Sequence, residues 1–137
     1  MSLMTLVGCS PPQKSARYVV LPSAEGKRIF TTDNAWQPTA TQIESAESHL
    51  SQIIGLHTQW PGDTRIIENP GGYYRQYVPV QLDGKELLFV NAFCARGLTA
   101  EWRSQLVDVS DGGECYWKAT FDPVTERYSN LVINGKG

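Results

Sequence analysis

The sequence predicts an α+β fold in which one long helix packs on a bent antiparallel sheet of four to five strands. Three observations lead there. Apolar residues recur at helical spacing in one segment only, between Pro38 and Gly55. An Asp83-Gly84 pair separates two β-rich runs, the strongest short-range hairpin signal. Two cysteines, Cys94 and Cys115, fall where they set how that hairpin meets the next. Length agrees: 137 residues make one domain that buries roughly two thirds of its unfolded surface. We divide the chain into a tether at 1–16 and a single α+β domain at 17–137.

Each element has its own warrant. Arg17 to Leu21 and Arg28 to Thr32 are short β-branched or apolar runs, stopped by Pro22 and Asp33-Asn34, and read as strands. The helix carries Ile43, Ala46, Leu50, Ile53 and Ile54 on one side and Glu44, Ser45, Glu47, Ser48, Ser51 and Gln52 on the other. Thr39 with Gln42 and Thr41 with Glu44 form two overlapping capping boxes, and Gly55 offers a left-handed stop. A turn cluster at Asn69 to Gly72 leads into the hairpin of Tyr73 to Leu82 and Lys85 to Cys94. Its turn sets Leu82 against Lys85, Val80 against Leu87 and Val78 against Phe89. Pro79 lacks an N–H, so it belongs at a bulge or with its nitrogen turned away from a partner. A second hairpin runs from Glu114 to Phe121 and returns from Arg127 to Ile133.

Placing Cys94 opposite Cys115 brings Ala92 against Trp117, Val90 against Ala119 and Leu88 against Phe121. Large meets small along one face, which suits an inner face roofed by the helix. The two cysteines form a disulfide or stay buried and reduced. A disulfide between them closes a loop worth about 3 kcal/mol. Zinc fits poorly, since neither cysteine has a second Cys or His at ligand spacing. The long connection from Ala95 to Gly113 has either structure of its own or a job, with Ser104 to Ser110 as a possible edge strand.

The order strand, helix, four strands resembles the cystatin-like topology over residues 17–134. The resemblance is architectural: the Gln-Val-Val-Ala-Gly hairpin of protease-inhibiting cystatins is absent, so it implies no functional residue. At the N-terminus, Leu6-Val7-Gly8-Cys9 followed by Ser10-Pro11-Pro12 resembles the lipobox of bacterial lipoproteins. That resemblance implies a lipid anchor on Cys9 and a periplasm-facing place in the cell envelope. Ser10 is similar to the residue that sends such proteins to the outer membrane. Eight residues precede Cys9, none of them basic, which implies a start further upstream. A disordered start with a chance Leu-Val-Gly-Cys is the competing reading.

Composition narrows function mainly by exclusion. Twelve Lys and Arg against 14 Asp and Glu give a net charge of −2, with no electrostatic drive toward nucleic acid or anionic lipid. Membrane contact is expected through Cys9 alone. His49 and His57 have no Gly-x-Ser-x-Gly elbow, Cys partner or His-x-x-x-His spacing beside them, so no catalytic residue, metal or cofactor is expected. Glu44 and Glu47 read as solvated helix surface.

Aromatics make up 10% of the chain, and Trp36, Trp60, Tyr73, Tyr74, Trp102, Tyr116 and Tyr128 fall outside the inferred inner face. Tyr, Trp and Arg are enriched where proteins grip one another. Arg75, Arg96, Arg103 and Arg127 share these strands and loops. The expected function is therefore a non-enzymatic envelope domain binding a protein partner, as an inhibitor or an assembly subunit. Trp102, Arg96, Arg103, Tyr74 and Tyr116 are the candidate contacts. Two readings compete. The same aromatics can simply fill a shallow core, or a small ligand or substrate can sit on the concave face of the sheet near His49, His57, Arg75 or Tyr77.

Overall fold

A computed structural model describes residues 16–30 and 35–136. Cys9 and its tether lie outside the described residues. Five strands form one open sheet in the order β1 (Tyr18–Val20), β2 (Tyr74–Leu82), β3 (Lys85–Phe93), β4 (Tyr116–Asp122) and β5 (Arg127–Ile133). β2 to β5 form an antiparallel meander, while β1 lies parallel to β2. A parallel neighbour needs a long crossover, and the chain from Leu21 to Tyr73 supplies it.

Turn chemistry sets the register. Asp83 and Gly84 both take positive φ, 51° and 76°, the geometry that matches strand twist. Val80 then faces Leu87, Val78 faces Phe89, and Pro79 faces Leu88 without a bulge. The β1 pairing turns Arg75 and Tyr77 toward β1, since Arg75 N–H donates to Arg17 and Leu21 N–H to Tyr77. Pro79 shares that orientation, so its nitrogen points past the end of β1 rather than at β3. The next hairpin meets the first in the expected register, Leu88 with Phe121, Val90 with Ala119 and Ala92 with Trp117. Cys94 and Cys115 are disulfide-bonded, with Cα atoms 4.9 Å apart. They flank β3 and β4 rather than lying within them.

In β5 the register slips at Asn130, whose φ is 58°. The extra residue in that strand puts Leu131 and Ile133 on the same face as Tyr128, which strict alternation would not do. These three join Tyr77, Leu88, Val90, Ala92, Trp117, Ala119 and Phe121 in one core, roofed by Ile43, Ala46, Leu50 and Ile53.

The roof differs from the single long helix expected. Helix α2 covers Ala40–Ser48, and Leu50–Gly55 continues as a 3-10 helix. Thr39 and Gln42 form the capping box, rather than Thr41 and Glu44. The break falls at His49, where His49 Nδ1 and Ser48 Oγ both approach the Ser45 carbonyl, at 2.7 and 3.0 Å. Side chains competing for a helical carbonyl loosen the turn. Gly55 ends the segment without a left-handed conformation.

Two further expectations fail. Arg28 to Phe30 is not strand but the turn after a short helix α1 (Ser23–Gly26). Helix α1 lies flat on β2, where a Cβ on Gly26 would come within 2.8 Å of Val80, so only glycine permits the approach. Phe30 meets Phe89 edge-on at 5.0 Å. Ser104 to Ser110 forms no strand either. Together α1 and the Ala95 to Gly113 connection cover the sheet face opposite α2, over clusters built on Leu21, Val78, Val80, Phe89 and Leu106 and on Phe93, Trp102 and Val107.

Candidate functional site

The long β3–β4 connection is fastened by a polar stripe crossing the sheet. Gln76, Asn91 and Lys118 are register neighbours on β2, β3 and β4, on the face that carries Val78 and Phe89. Buried Gln76 donates to the carbonyls of Trp102 and Gln105, at 2.6 and 2.7 Å, and accepts from Val107 N–H at 2.9 Å. Asn91 donates to Gln76 at 2.9 Å and to the Val107 carbonyl at 2.6 Å. Asn134 donates to the carbonyls of Val109 and Asp111, at 2.7 and 3.0 Å, and accepts from Lys118 Nζ at 3.2 Å. From α1, Glu25 accepts Leu106 N–H at 2.8 Å. Burial lowers the Lys118 pKa, against the pull of Asp108. A loop that lacks a partner strand thus has its backbone groups satisfied by side chains.

The five candidate contacts all belong to this region. Trp102 is only 6% exposed and packs edge-on against Phe93 and Tyr74. Arg103 lies over the Trp102 ring at 4.9 Å, and Arg17 over the half-buried Tyr74 ring at 5.2 Å. Arg96 is exposed and donates to the Gly112 carbonyl at 3.2 Å. The Tyr116 ring lies between two glycines: a Cβ on Gly97 or Gly112 would come within 2.8 or 2.5 Å of it. Gly112 also takes φ of 95°, so a side chain there is excluded twice over. Arg96, Arg103 and the 42%-exposed Leu98 face solvent, Arg103 above the Trp102 ring.

Residues considered for a ligand cavity have other roles. Arg75 is 4% exposed and grips the Glu47 carboxylate with two hydrogen bonds, 2.9 and 2.7 Å. Its Nη1 donates to the carbonyls of Tyr73 and Gly71, at 2.6 and 3.2 Å. Glu47 is thus an ion-pair partner rather than solvated surface. Burial would lower the Arg75 pKa, but the bonds and charge of Glu47 outweigh it and hold the guanidinium above its ordinary value. Tyr77 donates to Glu47, and Tyr128 to the Ala46 carbonyl at 2.6 Å. Each phenol has one proton and both are committed, so the 3.4 Å contact between them is packing. Burial raises both phenol pKa values, that of Tyr77 strongly. The His49 ring is tied to Ser45, and His57 is exposed.

Grooves lie at the rim of the sheet. One of about 580 Å³ and one of about 310 Å³ run beside β1, and one of about 600 Å³ lies between Arg96, Tyr116 and Lys136. Among the described residues no cluster of His, Cys, Asp and Glu is arranged to hold a metal ion, and no helix is long and apolar enough to cross a membrane.

Sequence reading missed Gln76, Asn91, Asn134 and Glu25 as anchors. The signal was there for two of them: Gln76 and Asn91 face each other across the hairpin, on a face otherwise carrying Val78, Phe89 and Phe93. Compared with known proteins, the chain matches no family model, no curated protein and no solved structure.

Proposed function

We propose that this chain is an envelope lipoprotein domain that binds a protein partner through the β3–β4 loop and does not turn over a substrate. One observation carries the reading: side-chain hydrogen bonds fasten the loop from beneath while Arg96, Leu98 and Arg103 are exposed. A surface ordered in advance loses less entropy on association, and binding residues commonly sit on loops positioned by a rigid scaffold. The cystatin-like likeness supports the same reading, as a helix-on-sheet body that displays its rim, although β1 is parallel to β2. Anchoring through Cys9 would keep that rim facing the periplasm.

A photo-cross-linking residue placed at Leu98, in the lipidated chain in its own envelope, tests the loop. Val124, 89% exposed on the far turn, serves as the control position. One defined adduct from Leu98, weakened by Arg103→Ala and absent from Val124, is expected. Equal adducts from both positions, or none from Leu98, would contradict the loop surface. Fatty-acid labelling lost in Cys9→Ser tests the anchor separately.

A further inference from the structure

The two edges of the sheet are treated differently. Along β5, Tyr128 N–H is taken by Gln52 at 2.8 Å and Ile133 N–H by Thr58 at 3.3 Å. Gln59 N–H donates to the Leu131 carbonyl at 3.1 Å, Trp60 Nε1 to that of Ile133 at 3.1 Å, and Arg65 to that of Asn134 at 2.8 Å. Most of that edge is taken up. Along β1, the bonds made by Arg17 and Leu21 to β2 fix the alternation, so the N–H and C=O groups of Tyr18 and Val20 point away from the sheet. No described group bonds them.

We propose that β1 receives an extended segment of a partner protein as a sixth strand. Only another extended backbone offers donors and acceptors at the spacing this edge presents. Two grooves follow the edge and meet at Val20, Gln37 and Pro38. One continues past Pro22, Trp36 and Pro79, the other past Thr39, Ile43 and Glu44. Among the described residues Glu44 is the one charged side chain lining either, and it is exposed. The occupant is accordingly an extended segment of mixed apolar and uncharged polar side chains, with a Lys or Arg set to meet Glu44. This surface is separate from the β3–β4 loop, and each can fail without the other.

The test uses the full 137-residue chain, isotope-labelled for NMR, and a capped hexapeptide of alternating Val and Thr with one Lys. A second peptide has the same side chains but is N-methylated at alternate residues. The unmodified peptide should shift the Tyr18 and Val20 amides and slow their hydrogen exchange about tenfold. The N-methylated peptide should do neither. Val20→Pro removes one outward N–H, leaves the β1–β2 bonds intact and suits an edge strand. It should abolish the response at the Tyr18 amide while the Leu21 amide stays protected. The proposal is overturned by equal responses to both peptides, by shifts confined to residues 96–116, or by no shift with either. Sedimentation of the protein alone as a dimer that Val20→Pro dissociates would show a second copy on the edge, and would overturn it too.

Discussion

Removing the Glu47 carboxylate leaves the Arg75 guanidinium buried without its counter-charge, and a stranded buried charge costs more than the pair contributes. Glu47→Ala should lower unfolding free energy by on the order of 3 kcal/mol, measured by urea denaturation. Glu44→Ala, one turn away and exposed, should change it by less than about 0.5 kcal/mol. Beside that pair, Tyr77 and Tyr128 have phenol pKa values raised by burial, so the folded state keeps protons that the unfolded chain releases near pH ~10. Their contribution to stability is full below that pH and declines as the pH climbs above it. In an ultraviolet titration of the six tyrosines, these two should stay silent until alkaline unfolding. Titration of Tyr77 and Tyr128 near pH ~10 in the folded state would contradict the buried cluster. None of this was legible in the sequence. Glu47 sits on the polar stripe of its helix, and nothing local to it reveals an arginine that arrives from β2.

Elements were legible where one local rule decides the geometry. Asp83-Gly84 admits one tight turn and appears as read, and of the two overlapping capping boxes the one built on Thr39 and Gln42 starts the helix. Elements that depend on distant partners were not. Phe30 follows a helix because Gly26 lets α1 settle on Val78 and Val80. The β3–β4 loop depends most of all on distant residues, since its regularity comes from Gln76, Asn91, Asn134 and Glu25. Gln76→Ala should free its middle. Trypsin should then cut after exposed Arg103 at least about tenfold faster than in the parent, with hydrogen exchange rising across residues 102–109. Unchanged cleavage would mean that apolar packing of Trp102 and Leu106 suffices to hold the loop.

Across the whole molecule, the matched cysteines located the contact between the two hairpins. The register they implied, Ala92 with Trp117 and Leu88 with Phe121, is the one adopted. Which strand would take the edge beside β2 could not be read, because parallel pairing through a long crossover leaves no local mark. The disulfide joins the strand ends from which the loop departs, while the polar stripe holds the loop's body. Cys94→Ala with Cys115→Ala should therefore cost about 3 kcal/mol, mostly through the unfolded chain. Tryptic cleavage at Arg103 should stay slow in that double variant. Fast cleavage would make the disulfide, rather than the amides, the device that orders the loop.

The β3–β4 loop forms the outer surface over one sheet face, and the functional reading depends on its being ordered before any partner arrives. Backbone 15N relaxation of residues 98–109 in the free protein measures this directly. Order parameters of about 0.85, matching β2 and β3, are predicted. Values below about 0.6 would show a loop that orders only on binding, and would contradict the account.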